Sequence, residues 1–331
     1  MAQNNAISQA YEDNSTLKLP IWFLVLAVLL FSLRMYVKQT QMHAQRGQGV
    51  VWFTPVDFNK QSDSGKLGKQ ELVLYEFTAD WCPPCQKRER TTFRNPDMVA
   101  KINKTYIPVR VDLTTESLSS MPETKLLTQR FDISSIPRCC ITLRSGERVC
   151  DDHYMYGKTF DEFLEQAATK ANTVRAQLLV AQGKDQEAYA YLDPATLKGE
   201  KELYLYEVGN YIMYHHVLTN LNRKAELEQM MKNTYDVTVR ERKKRGGVTD
   251  KTFHWLDSLN SYLRGQVTET QALADTEGVE DYSIYLAIGL KNLRDGDLEK
   301  AKKNLHQAAL LSAKNYRTDQ LAEFIVKEIE K

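Results

Sequence analysis

Residues 75–93 read YEFTADWCPPCQKRERTTF and hold two cysteines, Cys82 and Cys85, separated by Pro83 and Pro84. Upstream, residues 71–79 (ELVLYEFTA) are a short aliphatic and aromatic run, the pattern of a buried strand. Downstream, CQKRERTTF has helical character. Proline suits the first helical turn because no intrahelical donor is lost there. The spacing therefore predicts a strand ending near Thr78 and a helix starting at Pro83 or Pro84, with Cys82 at its N-terminus. At that position the helix dipole and free N–H groups stabilise a thiolate. C-x-x-C beside such a pattern is a redox signature. A zinc site competes, but structural zinc normally takes four Cys or His ligands and there is no second C-x-x-C. His153, Cys139 and Cys140 would have to be gathered into one. A purely structural cysteine pair is the other alternative.

Further strand and helix signals follow in alternation. YIPVRVDL (106–113) alternates as a strand, TKLLTQRF (124–131) looks helical, and CCITLRSGERVC (139–150) reads as a hairpin turning at Ser145-Gly146. TFDEFLEQAATKA (159–171) is an amphipathic helix with Phe160, Phe163, Leu164 and Ala167 on one side. VVWFTPVDF, from Val50, opens this unit, and 62–70 is a loop or a short helix-to-strand connection. Over 50–172 the order is β, α, β, α, β, β, α, which implies an α/β fold: a central mixed sheet flanked by helices.

The whole chain has 331 residues and a formal net charge of +1. That length suggests two domains, and that charge argues against nucleic acid as a partner. Five cysteines are too few for a disulfide-stapled miniprotein, and an odd count leaves one thiol without an internal partner. Residues 1–18 read as a disordered tail. Residues 19–37 (LPIWFLVLAVLLFSLRMYV) carry no charge before Arg34, and as a helix they span roughly 28 Å, close to a bilayer core. Trp22 and Tyr36 suit the two headgroup zones. A cleaved signal peptide is the rival, yet only Lys18 stands before the span, beside Glu12 and Asp13, and no small-x-small site follows. The expectation is one transmembrane anchor, then a juxtamembrane linker, 38–49. Arg34, Lys38 and Arg46 against Lys18 weakly place the following bulk in the cytoplasm.

From 173 to 331 strand signals vanish and helical periodicity dominates, so this part is expected to be an all-α domain. GKDQEAYAYL from Gly183 and GDLEKAKKNL from Gly296 both place alanine five after the glycine and leucine four after that. This is similar to the second helix of a tetratricopeptide-type repeat. A non-repeating bundle is the alternative. RERKKRGG (240–247) reads as a basic helix end with a glycine stop, or as a contact for acidic lipid or a partner. His215 and His216 read as helix packing.

ADWCPPC with the distal SSIPR resembles the thioredoxin fold. The longer strings YEFTADWCPPCQKRERTTFRNP, VRVDLT and LLTQRFDISSIP resemble the C-terminal periplasmic domain of the bacterial transmembrane thiol:disulfide interchange protein DsbD family, over roughly 120 residues. The resemblance implies a protein-disulfide reductase type of enzyme with no cofactor beyond a redox-active Cys82–Cys85 disulfide and no metal. Cys82 would attack a substrate disulfide, and Cys85 would resolve the mixed disulfide. It implies that Trp81 packs beside the dithiol and that Glu76 is a buried carboxylate handling the proton of the second thiol. The other reading of Glu76 is an exposed strand residue. Asp80 reads as a surface carboxylate. Ile136-Pro137 matches a cis-proline loop facing the dithiol, and Ile136, Arg138, Pro83 and Pro84 would line the substrate path. Arg138 stands where the family often has threonine.

Pro83-Pro84 brings no charge and removes N–H donors from the thiolate's surroundings. The pair is therefore expected to be reducing, nearer thioredoxin than the strong oxidants. Cys139, Cys140 and Cys150 read as small buried strand residues. Alternatives are a Cys140–Cys150 disulfide and a Cys139 relay to the dithiol. The resulting expectation is a membrane-anchored thiol–disulfide oxidoreductase in a bacterial inner membrane. Its soluble part is periplasmic by the resemblance, its substrates are protein disulfides, its electron donor is a membrane partner, and its helical part docks a protein. The rival is a tetratricopeptide-like scaffold with an accessory redox sensor.

Overall fold

The computed structural model describes residues 49–152, 159–198, 208–244, 254–274, 276, 281–314 and 320–331. The expected tail, the 19–37 span, the linker up to residue 48 and His153 lie outside the described residues. Among the described residues, no helix is long and apolar enough to cross a membrane. In chain order the elements are α1 (Pro55–Asp63), β1 (Leu72–Thr78), α2 (Pro83–Thr91), α3 (Pro96–Thr105), β2 (Tyr106–Asp112), α4 (Glu116–Ser119), α5 (Pro122–Arg130), β3 (Arg138–Leu143), β4 (Arg148–Asp151) and α6 (Phe160–Ala181). The helical remainder is α7 (Asp185–Tyr189), α8 (Pro194–Leu197), α9 (Val208–Asn220), α10 (Lys224–Lys244), α11 (His254–Leu263), α12 (Glu269–Ala274), α13 (Asp281–Arg294), α14 (Leu298–Lys314) and α15 (Leu321–Ile329).

Six of the seven residues of β1 are buried, because helices cover both faces of the sheet. β2 runs parallel to β1 on one side, β3 antiparallel on the other, and β4 antiparallel to β3, giving the order β2-β1-β3-β4. This is the mixed sheet the alternation predicts. Leu74, Ile141, Ile102 and Leu164 belong to the core on the face covered by α3 and α6. Val73, Tyr75, Val109 and Phe131 belong to the opposite core, beside α5. Tyr106 ties the sheet to α6 by donating its hydroxyl proton to Leu164 O at 2.8 Å.

Three helices went unread in the sequence: α1, α3 and α4. The first two carry ordinary start signals. Thr54 accepts the Asp57 N–H and Asn95 accepts the Asp97 and Met98 N–H groups, each cap followed by proline at the first helical position. α1 ends at Asp63, so 62–70 begins on its last turn and continues as the connection to β1. Ahead of α1, Phe53 bridges in parallel to Val109 and extends the sheet edge at β2.

The β3–β4 hairpin carries a register shift between Ile141 and Thr142, so Cys150 lies opposite Ile141 and Cys140 opposite Asp151. Cys139 and Cys150 join one core, Cys140 the other, and all three remain free thiols. The Cys140–Cys150 disulfide is therefore not formed. Cys139 and Cys140 point to opposite sheet faces, as neighbours in a strand must, and do not converge as zinc ligands.

α6 starts with a capping box between Thr159 and Glu162. Its first half packs Phe163, Leu164, Ala167 and Ala171 on the sheet, and its second half gives Ala176 and Val180 to the helical core. It runs unbroken past residue 172. Beyond it, one turn geometry recurs four times among the described residues. Gly183, Asn222, Gly265 and Gly296 take φ of 71°, 55°, 71° and 81° after α6, α9, α11 and α13. In each case the next N–H reaches back to the helix just ended: Lys184 to Leu179 O, Arg223 to Leu218 O, Gln266 to Ser261 O, Asp297 to Asn292 O. This is the Schellman stop, which favours glycine or asparagine. The two copies visible in the sequence are the first and last of these. In the second, Leu227 and Met231 replace the alanine and leucine of the pattern. Where α13 meets α14, a Cβ on Gly289 would lie 2.6 Å from Leu305 Cγ, so the close crossing requires glycine.

α15 returns to α6 and inserts Phe324 into the sheet-side core. Gln320, just before it, donates from Nε2 to Arg148 O at 2.6 Å. The C-terminus thus helps close the α/β unit. Phe324→Ala is expected to destabilise that unit by about 3 kcal/mol, read as a lowered urea midpoint of the Trp fluorescence transition.

Candidate active site

Helix α2 begins at the dithiol. Cys82 is its N-cap, in extended conformation, and its Sγ accepts the Cys85 N–H at 3.3 Å. Pro83 and Pro84 carry no N–H, so Cys85 supplies the first backbone donor of the helix to that sulfur. Cys82 and Cys85 are joined as a disulfide, with Cα atoms 5.3 Å apart. Cys85 is packed inside the first turn, while Trp81, Pro83 and Pro84 around Cys82 are exposed. The Ile136–Pro137 peptide is cis, and Ile136 O lies 3.9 Å from Cys82 Sγ. Ile136 also packs against the small cluster of Ala79, Cys82 and Cys85. The residues expected to face one another thus do so, although they are 51 or more positions apart in the chain, Cys85 to Ile136.

Trp81, next to Cys82, is 65% exposed, and its indole N–H donates to Thr114 O at 3.2 Å. Arg138 is buried, with its guanidinium 3.6 Å from Asp151 and 4.0 Å from Asp152, and does not present itself as a substrate contact. Asp80 is exposed, as expected.

Glu76 is 1% exposed, so the reading as an exposed strand residue fails. Parallel register places it opposite Arg110. Glu76 Oε2 accepts from Arg110 Nε at 2.9 Å, and Oε1 has no hydrogen-bond partner among the described residues. The same guanidinium reaches Glu89 on α2 at 2.5 Å. Burial pushes the Glu76 carboxyl up to about 7; Arg110 pulls it down, Glu89 raises it and Arg88 lowers it. A carboxyl poised there exchanges a proton near neutral pH.

A second ionic cluster lies on the same sheet face. One turn past Cys85, Arg88 donates to Cys139 Sγ at 3.3 Å and pairs with Asp152 at 2.8 Å. Asp152 in turn accepts the Cys139 N–H at 2.9 Å. Burial raises the Cys139 thiol well above its ordinary range despite Arg88, and raises Cys140 as well; Cys150 is pushed up to about 12. Three protonated, sealed thiols are inert toward a disulfide, which argues against the Cys139 relay. His215 and His216 are buried in the helical core and lowered to about 4 by burial and by Arg294, in keeping with a packing role.

Arg110, Arg88, Glu89 and Asp152 were not singled out in the sequence. A signal existed: Glu76 and Arg110 each interrupt an apolar strand with one charge of opposite sign. Adjacent strands would be expected to pair them.

The raised Glu76 carboxyl fixes a sign for pH dependence. Its folded value lies above its unfolded one, near 4.5, so the folded state binds the extra proton between about 4.5 and 7. Its burial therefore lowers stability fully above that window, and the loss is relieved as pH falls through it. Glu76→Gln is expected to gain about 3 kcal/mol relative to the parent between pH 4.5 and pH 8, measured by urea unfolding of the oxidised protein at both values.

Residues 59–142 match the model of a family described as thioredoxin-like. The thiol:disulfide interchange protein DsbD of Haemophilus influenzae (strain PittEE) is 24% identical over 123 residues, covering 35% of this chain and 20% of that protein. The DsbD of Photorhabdus laumondii subsp. laumondii is 24% identical over 98 residues, covering 29% of this chain and 16% of that protein. The chain spans about a fifth or less of the length of these curated relatives. Residues 59–142 form a thioredoxin-like domain, and the Cys82–Cys85 disulfide sits at the start of its first helix after β1.

Proposed function

We propose that the chain is a membrane-anchored thiol–disulfide oxidoreductase that reduces disulfides of cell-envelope proteins. The observation that carries this reading is the Cys82 sulfur at a helix N-terminus, bonded to Cys85 and facing Ile136 O at 3.9 Å. In the reduced state, the Cys82 thiolate attacks one sulfur of a substrate disulfide. A mixed disulfide forms and one substrate thiolate leaves. Cys85 then loses its proton to Glu76 and attacks Cys82 Sγ. The Cys82–Cys85 disulfide forms and the second substrate thiolate leaves. The substrate gains two electrons, which a membrane donor dithiol restores. An extended substrate segment lies along Ile136, with Pro83 and Pro84 as its apolar rim.

The reducing direction is supported by the helix start. Two prolines leave a single nearby backbone donor on Cys82 Sγ and no charge, so the thiolate is only moderately stabilised. Residues 19–37 supply the anchor. The likeness to DsbD favours the periplasmic side over the weak charge bias. The four recurrent turns support a tetratricopeptide-like array of helix pairs in the C-terminal half, which fits docking of a protein partner. The same array supports the second reading, a scaffold with an accessory redox sensor.

Cys82→Ser is expected to abolish insulin-disulfide reduction, and Cys85→Ser to accumulate mixed disulfides with clients that mass spectrometry identifies. The dithiol potential should fall nearer about −270 mV than about −120 mV, by equilibration with glutathione. Full activity of Cys82→Ser removes the nucleophile assignment, and client capture independent of both cysteines moves the assignment to the scaffold. C-terminal alkaline phosphatase and GFP fusions are expected to be active and dark, respectively, if the soluble part is periplasmic.

A further inference from the structure

The Glu76–Arg110 pair has a cover that comes from outside the four strands. Ahead of α1, Phe53 bridges the edge of β2: its N–H donates to Pro108 O at 2.9 Å, and the Arg110 N–H donates to Phe53 O at 2.9 Å. This parallel bridge brings the preceding residue, Trp52, over the Arg110 guanidinium, 4.5 Å from the ring centroid. The indole also packs edge to face with Phe93, with centroids 5.0 Å apart at 87°. One guanidinium thus meets an aromatic ring on its face and carboxylates along its edge, Glu76 at 2.9 Å and Glu89 at 2.5 Å.

We propose that Trp52 is a positioning residue of the dithiol site: by stacking on Arg110 it fixes the guanidinium against Glu76 and so sets the proton affinity of that carboxylate. The inference rests on the proton role given to Glu76 above. A planar cation over an aromatic face is attracted to it and loses freedom to swing toward solvent. Arg110 is half-buried, and without the ring its edge is free to leave Glu76 for water or for Glu89. The groups facing Glu76 are Arg110 from β2, Arg88 and Glu89 from α2, and Cys139 from β3. Arg110 is the largest influence that lowers the carboxyl, against burial, which raises it. A looser Arg110 therefore raises Glu76, provided the apolar cover stays in place. Because Trp52 lies just after the proposed juxtamembrane linker, seating of the start of the α/β unit becomes a determinant of proton handling at the dithiol.

The test is the titration of the Glu76 side-chain carboxyl carbon by NMR in the oxidised full-length protein, assigned by its loss in Glu76→Gln. Trp52→Leu and Trp52→Met keep an apolar cover and remove the π face; Trp52→Phe keeps both. The Leu and Met variants are expected to raise the Glu76 midpoint by about half a unit, and the Phe variant to leave it within about a fifth of a unit. The pH profile for resolution of a Cys82 mixed disulfide should shift in step, with its plateau rate unchanged. An unchanged or lowered midpoint in a folded Leu or Met variant overturns the proposal, as does an equal shift in Trp52→Phe. The titration needs no turnover, so it stands or falls separately from the redox assignment. A moved midpoint without a moved resolution profile leaves the stacking effect intact and removes the proton role of Glu76.

Discussion

A single pairing in the parallel ladder, Glu76 opposite Arg110, brings a buried carboxylate and its cation together on one face of the sheet. Burying a carboxylate is unfavourable unless a charge partner meets it. A slip of one residue between β1 and β2 would move Glu76 to the opposite face, against Val109 and Phe131, and strand Arg110. The pair thus acts against wrong registers as well as holding a proton. Oε1, left without a partner among the described residues, is where the carboxyl keeps capacity for a further proton.

The dithiol follows from how a helix starts. A helix N-terminus offers several unpaired N–H groups, and the two prolines of α2 delete two of them. What remains on Cys82 Sγ is the Cys85 N–H, so the acidifying field is present but thinned. On the far side, Ile136 O comes within 3.9 Å of that sulfur, across the cis peptide to Pro137. The chemistry is localised in a few atoms. The rest of the thioredoxin-like part keeps other cysteines out of it by burying Cys139, Cys140 and Cys150 as neutral thiols.

The α/β order was legible because apolar runs of strand length alternate with helical segments, and C-x-x-C with Ile136-Pro137 marked the site. What escaped notice has physical reasons. The short helix α1 buries no residue and is declared mainly by its cap, Thr54, whereas α3 carries both a cap, Asn95, and an apolar face of Met98, Val99 and Ile102, signals that lie in a segment of only ten residues. The outward position of Trp81 depends on a hydrogen bond to Thr114, contributed by a different strand end. Arg138 sits in an apolar strand context, and only the return of β4 with Asp151 and Asp152 makes its burial tolerable. The middle repeats of the helical half hid because Asn222 replaces glycine and the alanine–leucine pair is not kept, whereas the backbone turn is.

α6 belongs to two cores at once. Its N-terminal turns complete the wall of the redox unit, and its later turns are the first rib of the helical half. With α15 folding back onto it, the molecule has a shared spine in place of a hinge. Severing the chain near residue 172 would leave two greasy, half-finished surfaces rather than two modules. A displacement of the helical half would therefore bear on the same rod that braces the sheet beneath the sulfurs.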